Sequence, residues 1–233
     1  LSAPCEEVID ATGCYLLPGI IDDHVHFRDP GLTHKADILT ESRAAAAGGV
    51  TSIMDMPNTN PLTVTLDALN AKLDLLNEKC IVNHSCYFGA TNNNYTEFDK
   101  LDKHRVCGIK LFMGSSTGNM LVDKMNSLLN IFNGTDMLIA AHCEDQETIK
   151  NNIEKYKQKY KGADDIPISA HPSIRSVPAC YASSELAVRL AKIAGARLHI
   201  LHVSTAKELQ LFSDEPLANK NLSLIHISEP TRH

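Results

Sequence analysis

Residues 106–114, VCGIKLFMG, have the apolar density of a strand buried on both faces, yet carry Lys110 at their centre. Lysine is almost never fully buried unless it is paired. Three other apolar runs close on histidine: YLLPGIIDDHVH (15–26), MLIAAHCED (137–145) and RLHILHVS (197–204). Between these runs lie stretches of helical character. ILTESRAAAAGG (38–49) ends in a double glycine suited to a C-terminal cap. LDALNAKLDLLNEK (66–79), MLVDKMNSLLNIF (120–132), QETIKNNIEKYKQKY (146–160) and ACYASSELAVRLAKIAG (179–195) follow the same periodicity. VTSIMDMP (50–57) and IVNHSCYFG (81–89) supply two more strands, and 95–104 and 205–212 two shorter helices.

Six strand–helix units in succession, with strands too apolar to be half exposed, imply an α/β fold with a parallel sheet covered by helices. A doubly wound sheet and a (β/α)8 barrel both satisfy that pattern. No Gly-rich phosphate fingerprint follows the first strand, which disfavours the dinucleotide-binding fold. The expected architecture is therefore a TIM-type barrel, incomplete because a whole one needs roughly 250 residues. Residues 5–15, CEEVIDATGCY, alternate like a short strand followed by a turn at Gly13.

Composition excludes several functions. A formal charge of -6 over 233 residues, with no dense Lys/Arg run, is not the footprint of a nucleic-acid-binding protein. The most cationic stretch, 151–162, is interleaved with polar residues and reads as a solvated helix face. No apolar stretch approaches 18 residues, so no transmembrane helix is expected. Seven cysteines without a CxxC pair are read as small buried hydrophobes of a cytoplasmic protein. The chain opens with Leu1 and no signal peptide is recognised.

The chemistry is carried by the strand ends. Alternate strand residues point the same way, so His24 and His26 can meet one ion, with Asp22 able to join them or orient a ring. His142 and His202 also close strands, and in a barrel those C-terminal ends form the active-site face. Each histidine alone is more often a satisfied core or surface residue, as His84 illustrates. Three strand ends with histidines plus a buried-type lysine together point to metal. Burial beside positive ions favours the neutral amine of Lys110, which can add carbon dioxide to become an anionic carbamate. Its two oxygens suit two metals roughly 3.5–4 Å apart. The alternative is a lysine that snorkels to solvent.

DDHVHFRDPG (22–31), DMPNTNP (55–61), GIKLFMG (108–114), AHCED (141–145) and LHILHVST (198–205) resemble, in order, the motifs of the amidohydrolase superfamily. Within it the chain looks most like a dihydroorotase, HFRDPG with MPNT being the discriminating pair. Allantoinases are the close second. The resemblance implies two zinc ions bridged by carboxylated Lys110, one held by His24 and His26 and the other by His142 and His202. It implies that Arg28 and Asn58 grip a substrate carboxylate, a task for which guanidinium offers a planar fork of donors. Their ordinary readings are a surface ion pair and a turn residue. His199 is passed over because His202 matches the HVS of the family.

The expected activity is reversible conversion of N-carbamoyl-L-aspartate to L-dihydroorotate in pyrimidine biosynthesis, on a small-molecule substrate, with homo-oligomerisation of the parent left open. Alternatives are allantoinase or another cyclic-amide hydrolase, and a non-catalytic relative serving as an assembly partner. The resemblance covers about 8–221. The family's catalytic aspartate and a histidine-containing substrate loop have no counterpart, since neither Asp214 nor Glu229 sits in a matching context. The division expected is a remnant of a small β-subdomain at 1–15, a partial barrel at 16–221, and a non-native tail at 222–233. Residues 222–232 resemble the in-frame translation of a transposon-end adapter used in sequencing-library preparation.

Overall fold

The apolar runs form one sheet of seven parallel strands, hydrogen-bonded in chain order: β1 (Ile20–Val25), β2 (Val50–Asp55), β3 (Asn83–Gly89), β4 (Val106–Phe112), β5 (Ile139–His142), β6 (Leu198–Leu201) and β7 (Leu222–Ile225). The computed structural model describes residues 7–114, 120–161, 165–216 and 222–225. Helices α1 (Ile38–Ala47), α2 (Leu66–Lys79), α3 (Met125–Asn133), α4 (Gln146–Lys159), α5 (His171–Ile174) and α6 (Val177–Ala194) occupy the connections. Parallel strands require such crossovers, and the crossover helices cover the outer face.

Local chemistry sets the element bounds. Thr65 accepts a hydrogen bond from the Ala68 amide and starts α2, whose buried Leu69, Leu73 and Leu76 recur at helical spacing. Asp37 and Asp145 cap α1 and α4 in the same way. The main core, between strands and helices, includes Ile53, Phe88, Ile109, Ile131, Leu190 and Leu198. A smaller cluster of Met56, Tyr87, Ala140 and Leu201 fills the concave side of the sheet. The sheet is curled: His199 Nε2 on β6 lies 3.4 Å from Asp23 Oδ2 on β1, with four strands between them in the sheet, and the Tyr87 hydroxyl on β3 donates to the Asp23 carbonyl at 3.1 Å. The expected incomplete α/β barrel is what forms.

Two sequence expectations need correction. Residues 7–11 form no strand; the turn at Gly13 is present, but Val8 and Ile9 are exposed and no described strand lies beside them to complete a ladder. Residues 5 and 6 lie outside the described residues. The helices expected over 95–104 and 205–212 are short 3-10 helices at Tyr95–Lys100 and Glu208–Leu211. Runs this short do not repay helix nucleation, and Glu208 is turned inward to accept from Ser184 Oγ at 2.6 Å and the Thr205 amide at 3.1 Å. Residues 222–225, the start of the segment read on sequence as a tail, lie along β6 as β7, which leaves that reading of their origin untouched. A backbone ladder needs only an extended segment beside an open edge, whatever the segment's origin. Residues 226–233 lie outside the described residues.

Among the described cysteines none is bonded to another. Burial pushes the Cys86 and Cys143 thiols up to about 12, so both act as small hydrophobes. Among the described residues, no helix is long and apolar enough to cross a membrane.

Candidate metal centre

The C-terminal ends of β1, β4, β5 and β6 deliver the histidines and the lysine to one rim. Ring centroids of His24 and His26 are 5.3 Å apart, those of His24 and His202 5.5 Å, and those of His142 and His202 4.7 Å. Lys110, 1% exposed, places Nζ 4.5 Å from the centre of the Phe112 ring, which lies 5.9 Å from the His142 ring. The five side chains singled out in the sequence are thus neighbours on one face.

Burial governs the protonation of this group. Desolvation lowers the Lys110 amine from 10.5 to about 7. The His26 imidazole falls to about 3, through burial first and then the positive charges of Arg28 and Lys110. His202 falls to about 3 through burial, His142 and Lys110, and His142 is lowered chiefly by burial. Neutral imidazoles and a readily deprotonated amine are the forms in which these residues can be ligands, the amine after carboxylation. Among the described residues, no three His, Cys, Asp or Glu side chains make a group ready for one ion. The donors present are instead the four imidazoles of His24, His26, His142 and His202, with the Lys110 amine in the same buried group.

Hydrogen bonds fix how two rings face. His26 Nδ1 lies 2.9 Å from Asn58 Oδ1. An amide oxygen can only accept, so with Oδ1 so assigned Nδ1 carries the proton and the Nε2 lone pair is left for a ligand. His142 Nδ1 and His202 Nε2 lie 2.9 Å apart, and His142 Nε2 faces Glu144 Oε2 at 2.9 Å. Arg175 NH1 also donates to Glu144 Oε2. Burial works against ionising Glu144, but the bonds from His142 and Arg175 hold its carboxyl down at about 2.

Behind the rim, a buried ion pair ties three elements together. Lys72 Nζ on α2 sits 2.8 Å from Asp55 Oδ2 and donates to the Met56 carbonyl at 2.5 Å. Asp55 Oδ1 accepts from the amides of Phe27 and Met56, each at 3.0 Å. The residue after His26 is thereby fixed to the end of β2. The loops of the HFRDPG and MPNTNP motifs are stitched by Asn60 N to Pro30 O at 3.1 Å. Gly31, at φ +80, lets them meet: a Cβ there would lie 2.0 Å from the Asn60 carbonyl oxygen.

Backbone strain falls at two of the site positions. Arg28 (φ 65) and His202 (φ 40) are the non-glycine residues in the left-handed region among those described. Such conformations cost of order 1–3 kcal/mol each and persist where the surroundings over-determine them. At His202 the following loop is held by Glu208, which accepts from the Thr205 amide and hydroxyl. Arg28 is half-buried next to His26, and its neighbour Asp29 is buried and paired with Lys79 at 2.9 Å. Asn58, expected to grip substrate, has its side-chain oxygen engaged by His26. His199 lies below the rim, with Nδ1 2.8 Å from Ser223 Oγ.

Sequence reasoning missed Glu144, Arg175, Asp55 and Lys72. One signal was available for Lys72: a charged residue in the apolar stripe of α2, three after Leu69 and four before Leu76.

A curled parallel sheet with imidazoles and a lysine at its C-terminal rim defines an amidohydrolase-type centre. The family model described as Dihydro-orotase-like matches residues 13–208, and the chain belongs to that family. A dihydroorotase of Methanosphaera stadtmanae is 32% identical over 216 residues, covering 90% of this chain and 47% of that protein. An allantoinase of Deinococcus radiodurans is 29% identical over 220 residues, covering 91% and 47%. Among solved structures, the L-hydantoinase (dihydropyrimidinase) of Arthrobacter aurescens superposes with a TM-score of 0.83 at 30% identity, covering 90% of this chain and 47% of that one. The chain thus spans about half the length of these relatives.

Proposed function

We propose that the complete polypeptide is a zinc-dependent hydrolase of cyclic amides, and specifically a dihydroorotase interconverting L-dihydroorotate and N-carbamoyl-L-aspartate. The observation that carries the reading is the meeting of His24, His26, His142 and His202 around a lysine whose amine burial brings down to about 7. The donor set fits a pair of zinc ions, with His24 and His26 for one, His142 and His202 for the other, and carboxylated Lys110 between them. When bound, such ions supply Lewis-acid polarisation of the amide carbonyl and an activated water.

The residues of this chain do the rest. Lys110 is buried and neutral enough near pH 7 to add carbon dioxide. Asn58 holds the His26 proton on Nδ1. Arg28, beside His26, offers a fork to a carboxylate. That residue favours dihydroorotate, which bears a ring carboxylate, over allantoin, which bears none. The proton that the leaving nitrogen requires comes, in this reading, from an acid in the part of the relatives' length that this chain does not span. The division into 1–15, 16–221 and a foreign 222–233 belongs to the same proposal, as do action in the cytoplasm and the absence of nucleic-acid and membrane partners.

The test is turnover of dihydroorotate, allantoin and hydantoin by the complete polypeptide. Preference for dihydroorotate supports the specific reading. Preference for allantoin, the second reading favoured by the Deinococcus radiodurans relative, replaces it. A protein that binds no stoichiometric zinc and turns over none of the three is a non-catalytic relative.

A further inference from the structure

We propose that Glu144, held by Arg175, is the positioning residue for His142: it dictates which ring nitrogen is left to hold a metal ion. The inference rests on the metal-centre reading above and extends it to two residues outside the expected ligand set. A neutral imidazole has one N–H and one lone pair, and either nitrogen can carry the proton. Glu144 Oε2 lies 2.9 Å from His142 Nε2, and an ionised carboxylate can only accept. The proton is therefore on Nε2, and the lone pair is on Nδ1. Nδ1 is the nitrogen that faces His202 Nε2, 2.9 Å away. In the metal-free chain the His202 Nε2–H can then donate to that lone pair, and once that proton is lost His142 and His202 would be the pair able to hold a cation. Without Glu144 the His142 ring is free to hold its proton on Nδ1, which turns the lone pair away from His202.

Three features show that Glu144 is built into place. Arg175, at the C-terminal end of α5, donates to the same Oε2 that meets His142, so two partners converge on one carboxylate oxygen. The backbone on either side is pinned: the Met113 amide donates to the His142 carbonyl at 2.9 Å, and the Asp145 amide to the Ala179 carbonyl at 3.0 Å. Gly114, which closes the GIKLFMG run four residues after Lys110, accommodates Glu144 directly. A Cβ at Gly114 would stand 2.8 Å from the Glu144 carbonyl oxygen, 2.9 Å from its Cβ and 3.0 Å from its nitrogen. Contacts under 3.0 Å to backbone force a shift, so the glycine ties the Lys110 strand to the carboxylate behind His142. Carboxylate partners of metal-binding histidines fix tautomer and ring orientation, and their loss typically weakens metal affinity about 10–100-fold.

The rival explanation is that the Glu144–Arg175 pair only pins α5 to the end of β5. A purely structural pair would lower the melting temperature and leave the affinity of the folded protein for metal unchanged. The decisive experiment is titration of the metal-free complete polypeptide with Co(II) in the presence of bicarbonate. It is followed by the visible absorption of the bound ion and repeated by competition with Zn(II). Glu144→Ala is expected to weaken one of the two bound ions about 10–100-fold and to change its absorption spectrum, the other ion being retained. Glu144→Gln, which keeps an acceptor oxygen for the Nε2 proton, should recover part of the loss. Arg175→Ala should weaken the same ion and Arg175→Lys less so. Gly114→Ala, which changes no charge, should weaken it too. If Glu144→Ala fails to fold, the Arg175 and Gly114 variants carry the test alone. Unchanged affinity and spectrum in the folded variants, with a wild type that binds two ions, overturns this inference and leaves the proposed function standing. A wild type that takes up no cobalt overturns both.

Discussion

Replacing Lys110 by methionine is expected to stabilise the metal-free protein while abolishing its capacity to bridge metals. Burial lowers the amine from 10.5 to about 7, so the folded chain binds this proton less tightly than the unfolded chain does. Between those values unfolding takes up a proton, and stability rises with pH. The penalty is present in full below about 7 and fades as pH climbs towards 10.5. At about 1.4 kcal/mol per pH unit, it amounts to about 4–5 kcal/mol near neutrality, set against a typical total of about 5–15 kcal/mol. Methionine keeps the unbranched stem and drops the charge. The lost contact with Phe112, 4.5 Å from Nζ, offsets about 1 kcal/mol of the gain. The measurement is urea unfolding of wild type and Lys110→Met, both complete polypeptides free of metal and bicarbonate, at pH 6, 8 and 10. The difference between them cancels the other titrating groups. It should favour the variant most at pH 6 and shrink by about 1.4 kcal/mol per unit above pH 7. A variant less stable than wild type at pH 6, or a difference that ignores pH, would refute the claim that Lys110 is held at the expense of stability.

Lys72→Met should destabilise by about 3–5 kcal/mol, because it strands the Asp55 carboxylate in the core; adding Asp55→Asn should recover much of that, as read by the same urea unfolding. Arg28→Met should leave zinc content intact and raise KM for dihydroorotate, since it removes a carboxylate fork and no ligand; loss of zinc, measured by elemental analysis, would assign Arg28 to the scaffold instead. Expressed alone, the 233-residue chain should self-associate, because β1 and β7 are the two edges of its sheet; sedimentation showing a soluble monomer would count against this.

The sequence made the scaffold legible where one physical signal dominated. The range of α2 follows from an apolar stripe, interrupted by Lys72, between a threonine cap and a lysine-bearing end, and its bounds match the expected ones residue for residue. β4 stood out because a continuous apolar run has few other uses. β1 begins at Ile20, four residues later than the apolar run at Leu16, because Pro18 lacks a ladder donor and the hydrogen bonding starts from Ile20 N to Gly49 O. The histidines of the rim were legible because each closes a strand. The groups that orient them were not. Glu144 meets Arg175 from 31 positions away, and Asp55 meets Lys72 from 17, pairings that arise only from how α2 and the loop after α5 fold back. Asn58 shows the same limit: that its side-chain oxygen meets His26 could not be read from the MPNT motif.

The reach of β1 across to β6 has a consequence for biosynthesis. Asp23 touches His199, and the His24 ring lies 5.5 Å from that of His202, so the centre joins segments separated by about 176 residues. At a synthesis rate of about 5–20 residues per second, the HxH pair leaves the ribosome roughly 10–35 s before its partners on β6 exist. During that interval the concave face, with Met56 and Tyr87, and the apolar Ile20 and Ile21 on the first strand have no far wall to close against. Until β6 is made, this apolar surface and the open edge of the first strands are exposed together, the state in which a partly synthesised domain is most prone to aggregate.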